Sequence, residues 1–206
     1  MLAEMNKSQL EILEAAADCF ANYGADAVSI DDIARHLHAT KGRIYHHFRS
    51  KSELLCAVRM RSVSLMFDQI APIVDSIDDP LEAMKKMAFT HVQLILGHHS
   101  FHRVVSEDFR VFFNRSTTPD ERRQIQEIID KRTAYENLFR EVLRKGMKSG
   151  VFAERPISLT VHSLITLLNS PSIWYSPRPN QTQDDRDVIA RDLAQMALGA
   201  LGVKDA

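Results

Sequence analysis

The chain has two cysteines in 206 residues, Cys19 and Cys56. Each falls in a segment of helical period, so both read as small apolar residues and not as a disulfide framework. That usage fits a reducing compartment. Aromatic residues make up only 7% of the chain, with one tryptophan. Long runs of alternating apolar and polar residues are missing, which excludes a β-sandwich or barrel. The sequence carries no glycine-rich phosphate loop, no G-x-S-x-G elbow and no HExxH pair, so nothing in it supports an enzyme, and no cofactor is expected. No stretch reaches the roughly 18 consecutive apolar residues of a membrane span. The opening residues MLAEMNKSQL lack the apolar run of a signal peptide. The expected location is the cytoplasm, with no membrane partner. Charge of one sign is also missing: the formal net charge is −1. Any nucleic-acid site must therefore be a local patch and not a general basic coat.

What is present is helical period nearly throughout, and the fold class expected is all-α with about nine helices. The first helix is expected over 7–23, with Leu10, Leu13, Ala17 and Phe20 inward and Gly24 as its C-cap. Ser29, with Asp32 three residues on, caps a short second helix ending near Leu37. Thr40 caps a third, over about 41–47, with Ile44 and Phe48 inward. Ser50 and Glu53 form a capping box for a long fourth helix reaching Pro72 or beyond. Further helices are expected over about 80–96, 101–112, 119–148, 156–168 and 184–201. The proline-bearing stretch 169–180 cannot be a regular helix throughout.

The informative block is SIDDIARHLHATKGRIYHHFRSKSE, residues 29–53. Two short helices meet there at a turn too brief for anything but a steep crossing. Their inward residues are small or branched, as a helix-turn-helix requires if its second helix is to enter the major groove. Between Asp32 and Glu53 stand five basic residues (Arg35, Lys41, Arg43, Arg49 and Lys51), four histidines and no acid. Such a patch attracts phosphates. Lys41 and Lys51, beside two helix starts, are expected to hold the DNA backbone. Gly42 permits close approach, and Arg43 is the candidate for reaching base edges, guanine first. Thr40 can cap its helix and also touch a base or phosphate. Tyr45 and His47 are expected to donate to the backbone, and His46 to face the groove edge.

These residues resemble the DNA-binding domain of the TetR family of repressors. The resemblance rests on Ser29-Ile30-Asp31-Asp32-Ile33-Ala34, Thr40-Lys41-Gly42, Ile44-Tyr45-His46-His47-Phe48, Lys51 and Glu53-Leu54-Leu55. Ile12, Ala15-Ala16, Phe20 and Tyr23-Gly24 extend it through the first helix. One residue departs from the pattern: His38 stands where members often have glycine, which puts a non-glycine side chain at a left-handed turn position. The resemblance implies a helix-turn-helix domain over 1–50 and a domain over 51–206 that binds an effector and dimerises. It further implies a homodimer on a palindromic DNA operator, paired through helices about 156–168 and 184–201 whose apolar stripes bury at that interface.

The family's effector pocket would fall among the middle helices. Its candidates here are Phe67, Met84, Met87, His91, Phe101, Val105, Phe109, Tyr135, Phe139 and Trp174, with Phe89, Val92, Phe112 and Leu138 nearby. Most are equally well explained as core. The set suggests a small hydrophobic or acyl-CoA-like effector. Arg103, Arg110, Arg115, Arg122 and Arg123 either meet an anionic group of it or form a solvated face. The Trp174-Tyr175-Ser176-Pro177 block is similar to one in the branch of the family that controls fatty-acid, acyl-CoA and sterol-ring degradation. His91, His98, His99 and His102 fall within twelve residues, but a break at Gly97 leaves no metal-ligand spacing, and no metal is expected. Rival readings are an activator, a corepressor-dependent regulator of the same fold and an all-α protein–protein scaffold. The acid-free basic block argues against the scaffold.

Overall fold

A computed structural model describes residues 5–105 and 118–203. They contain helices and no strand. The helices are α1 (Lys7–Tyr23), α2 (Ile30–His36), α3 (Lys41–Tyr45), α4 (Lys51–Ser76), α5 (Pro80–Gly97), α6 (His99–Val105), α7 (Pro119–Lys148), α8 (Ile157–Asn169), α9 (Pro171–Trp174) and α10 (Gln183–Ala200). The expected helix over 101–112 begins two residues earlier, and its part beyond Val105 lies outside the described residues. The stretch 169–180 is irregular, as its prolines require, except that Pro171 opens the four-residue α9 at a position where its missing N–H costs nothing.

The chain divides into two compact units: residues 1–63 with 100–129, and residues 64–99 with 130–206. The sequence boundary at 50/51 falls elsewhere, because Leu54, Leu55 and Val58 of α4 pack into the core of the first unit, as do Phe101 and Val104 of α6. That core also takes Ile12, Leu13, Ala16 and Phe20 of α1, Ile33 and Ala34 of α2, Ile44 of α3, and Phe48. A satellite cluster joins Cys56 and Val63 to Ile125 and Ile128 of α7. Both cysteines are free and buried.

Caps fix where the short helices begin and end. Asn6 and Gln9 close a reciprocal capping box on α1, and Ser29 and Asp32 close one on α2. On α4 the box is skewed. Ser50 Oγ accepts from the Glu53 N–H at 3.0 Å, but the Glu53 carboxylate accepts from the Arg49 N–H at 2.7 Å. Gly24 ends α1 at φ 81°, and its N–H bonds to the Phe20 carbonyl. The end of α2 is a Schellman motif: the Ala39 N–H reaches the Ala34 carbonyl at 2.9 Å and the His38 N–H reaches Arg35 at 3.1 Å. Its left-handed residue is His38, at φ 51°.

The second unit has a separate core. Met84, Met87, Val92 and Ile95 of α5, Tyr135, Phe139 and Leu143 of α7, Val161, Leu164 and Leu168 of α8, and Ala190, Leu193 and Ala197 of α10 meet there. The Gln93 amide donates to the Asp187 carboxylate at 2.8 Å, tying α5 to α10. This packing divides one expected set of residues. Of the stripes expected at a dimer interface, Met196 and Ala200 face outward and Ile157 and Ile189 are half-buried, but Val161, Leu164, Ile165, Leu168 and Leu193 are buried inside the unit. They supply the face that α5 needs to cover its own wide apolar surface. Leu159 of α8 and Val188 of α10 are exposed as well.

His38→Gly should stabilise the protein by about 0.5–1 kcal/mol, because the strain of a left-handed histidine exceeds the added entropy of the unfolded chain. Denaturant unfolding of the two proteins checks the sign.

Candidate nucleic-acid interface and regulatory core

Helix α3 has only five residues, and Ile44 is its one buried side chain. Such a segment has no helical stability of its own. Its position comes from Ile44 and Phe48 on either side of its last turn, both anchored in the first core. The remaining side chains are thereby turned outward. Thr40, Lys41, Gly42, Tyr45 and His46 are exposed, and His47 is half-buried. Tyr45 keeps half of its surface in solvent. The His46 and His47 rings meet edge to face at 4.9 Å. Thr40 takes the N-cap backbone conformation but makes no side-chain cap bond, so its hydroxyl is not used in the helix start.

Gly42 is the clearest residue in this row. Its φ is not in the left-handed region, and a Cβ placed on it would meet only Thr40 Oγ1 at 3.7 Å, an ordinary contact. Neither packing nor backbone geometry within the chain calls for glycine there.

Acids from outside the basic block fold back beside it. Lys41 lies 3.5 Å from Asp31, and Arg35 lies 3.0 Å from Asp32. Both pairs are largely exposed and hold their partners weakly. Two candidates are committed more firmly. The Lys51 ammonium donates to the carbonyls of Val28 at 2.8 Å, Ala25 at 2.9 Å and Asp26 at 3.4 Å. All three of its hydrogens are thus directed at the α1–α2 loop. Expected at a phosphate, Lys51 at the start of α4 here clasps that loop through its backbone carbonyls. The Arg43 guanidinium reaches α1, donating from Nε to Ser8 Oγ at 3.2 Å and from Nη2 to the Glu11 carboxylate. Sequence reasoning missed Ser8 and Glu11; more than thirty positions separate them from Arg43, and no local signal joins them.

The effector candidates separate into two groups. Met84, Met87, His91, Tyr135 and Phe139 are all buried together in the second core, with Phe67 packed half-buried against it. Phe101 and Val105 belong to the first unit, where Phe101 sits in the main core and Val105 against the satellite cluster. Trp174 is 55% exposed. Its neighbour Tyr175 is the one that turns inward, with its ring edge to face with His99 and its hydroxyl on Gln181. Phe109, Phe112, Arg110 and Arg115 lie outside the described residues. Of the other arginines, Arg123 pairs with Asp120 of its own helix at 2.6 Å.

His91 is the polar centre of the second core. Its Nδ1 lies 2.5 Å from the Tyr135 hydroxyl and its Nε2 lies 3.0 Å from Asn169 Oδ1. One tautomer satisfies all three groups: the Tyr135 hydroxyl donates to Nδ1, and the Nε2 hydrogen goes to the Asn169 oxygen. The Phe139 ring stands edge-on to the imidazole at 6.0 Å. Complete burial pushes the imidazole down from 6.5 to about 4, against the smaller opposing effect of the Asn169 bond. His102 is engaged elsewhere, its Nδ1 2.9 Å from Ser62 Oγ in the first unit. Among the described residues, no three potential metal ligands converge.

Because the folded-state value of His91 is depressed, the unfolded chain binds the extra proton first. The stability from its neutral burial is complete above about pH 6.5 and is lost as pH falls toward 4. The loss should reach about 3 kcal/mol. His91→Gln, which keeps a donor and an acceptor but does not titrate, should flatten that acid slope in urea unfolding measured across this pH range.

Comparison with known proteins shows the family. Residues 12–58 match the model of the bacterial regulatory proteins of the tetR family, and residues 78–201 match the tetracyclin repressor-like C-terminal domain. The HTH-type transcriptional repressor KstR2 of Mycobacterium tuberculosis is 28% identical over 175 residues, 84% of each chain. The solved structure of the ketosteroid transcriptional regulator KstR2 of that organism superposes with a TM-score of 0.81 at 24% identity, over 98% of both chains. AibR, solved in complex with isovaleryl coenzyme A and operator DNA, superposes with a TM-score of 0.74 at 20% identity, over 95% of this chain and 98% of that one. With both family models matched along its length, this chain belongs to the TetR family of bacterial regulatory proteins.

Proposed function

We propose that the protein is a ligand-responsive transcriptional repressor that binds a palindromic operator as a homodimer and is released by a small hydrophobic or acyl-CoA-like effector. The observation that carries this reading is the outward row Lys41, Gly42, Tyr45 and His46 on a helix whose only inward side chain is Ile44. None of these side chains is buried in the core. A glycine that its own fold does not require and an exposed tyrosine both suit a surface that closes on a duplex. Lys41 would sit on a phosphate, Tyr45 and His47 would donate to the backbone, and Arg43 would reach a base.

Dimerisation draws support from the outer face of the second unit. Leu159 of α8 is 65% exposed and Met196 of α10 is 59% exposed, with Val188 also outward. Between α8 and the end of α10 lies a cavity of about 290 Å³ lined by Pro156, Leu159, Leu164, Leu167 and Leu201. An apolar concavity beside outward leucine and methionine suits a second copy of these helices. For the effector, the second core offers methionines and Phe139 around one satisfied polar point, the His91–Tyr135–Asn169 set, which suits an apolar molecule with one hydrogen-bonding group. KstR2 is a repressor named for ketosteroids and AibR was solved with an acyl-coenzyme A, which favours lipid-derived or acyl-thioester chemistry here. Release would require that the effector bind one conformation of the protein better than the one that binds DNA.

Selection of duplexes from genomic fragments, followed by gel shift against a panel of fatty acyl-CoA esters and sterol-derived acids, tests the proposal. A palindromic site released by one of them is expected. Failure to enrich any duplex at physiological salt would overturn it.

Gly42→Ala separates fold from function: it should raise the melting temperature, since alanine is the better helix former, yet weaken operator binding by obstructing close approach. Lys41→Ala should weaken binding to all duplexes alike and reduce the slope of log affinity against log salt by about 1. Leu159→Glu combined with Met196→Glu should halve the mass seen by light scattering and abolish high-affinity operator binding, while the helical circular dichroism stays unchanged.

A further inference from the structure

The guanidinium of Arg43 has five N–H donors in one rigid plane. Its Nε donates to Ser8 Oγ at 3.2 Å, and its Nη2 donates to the Glu11 carboxylate. These two donors lie on the same edge of the fork. Ser8 and Glu11 stand three residues apart on α1 and so share a face of that helix. The contacts leave the second Nη2 hydrogen and both Nη1 hydrogens. The outer end of the fork therefore keeps two parallel donors, the pair that matches N7 and O6 of guanine. Arg43 follows Gly42, and its side chain keeps 36% of its surface in solvent. The backbone on which it rides is fixed by the adjacent Ile44 in the core.

We propose that Glu11 and Ser8 are positioning residues for base reading: they grip the Nε–Nη2 edge of Arg43 so that its Nη1–Nη2 end is presented to a guanine. This rests on the reading of α3 as the base-contacting helix. The argument is one of chemistry and order. An untethered arginine on an exposed five-residue helix samples many rotamers and meets phosphates as readily as bases. A carboxylate on one edge lowers the rotamer freedom before DNA arrives, which removes part of the cost of ordering on binding. It also offsets the charge of Arg43, so the side chain contributes less to indiscriminate phosphate attraction and more to geometric selection. Glu11 thus raises specificity more than affinity.

The test is selection from a randomised double-stranded oligonucleotide library with the full-length wild type, Arg43→Ala, Glu11→Ala and Glu11→Gln, with melting temperatures recorded for each. The wild type should select guanine at one position in each half-site. Glu11→Ala should reduce that preference about tenfold, while leaving the other positions and the melting temperature in place. Glu11→Gln, which keeps an oxygen acceptor for Nη2, should recover part of the preference; it also supplies the comparison if the alanine variant does not fold. A preference left intact by both Glu11 variants would overturn the proposal. So would tighter binding by Glu11→Ala with the guanine preference kept, since the carboxylate would then be competing with DNA. If Arg43→Ala still selects guanine at that position, the reading of Arg43 as the base contact fails instead, and the two failures are told apart.

Discussion

The exposed row of α3 depends on a hydrophobic anchor. Helix α3 is too short to exist outside the protein, and a single side chain, Ile44, fixes it in the core. Full burial of such a side chain is worth about 1.5–3 kcal/mol. Around Ile44 and Phe48 the first unit gathers Ile12, Leu13, Phe20, Ile33, Leu54 and Val58, drawn from three other helices. Each of those helices presents an apolar face that it cannot cover alone. The Schellman turn at His38 and the Lys51 clasp on the α1–α2 loop serve the same arrangement, because each sets the angle at which a short helix leaves its neighbour.

The interior of the second unit is built differently. It is mostly aliphatic and methionine-rich, but it contains one satisfied polar set, His91 with Tyr135 and Asn169. Burying three polar groups together is tolerated only when every one is paired. The set joins α5, α7 and α8, so it specifies which faces of these helices meet, where an all-leucine core would leave that loosely determined.

Helix α4 runs without interruption from Lys51 to Ser76, with its first residues in the core of one unit and its last in that of the other. The apolar residues of its first turns had suggested a long helix but not that Leu54, Leu55 and Val58 would complete the DNA-binding core. For that reason the compact units do not divide where the motif ends.

Local chemistry was legible in the sequence. The helix starts at Ser29 and Ser50, the end of α1 at Gly24, and the inward Ile44 and Phe48 all follow from propensities and periods that act within a few residues. The family pattern is legible for the same reason, since it is a run of such local requirements around one short helix. Tertiary structure alone decided what lies across helices. It gave the Lys51 ammonium to backbone carbonyls, paired Arg43 with Glu11, and turned Tyr175 inward in place of Trp174. It also took Val161, Leu164, Leu168 and Leu193 for the unit's own core, leaving Met196 of the same stripe outside together with Leu159. A period tells which residues share a face, but not which neighbour will cover that face, because that choice depends on the summed burial of every helix at once.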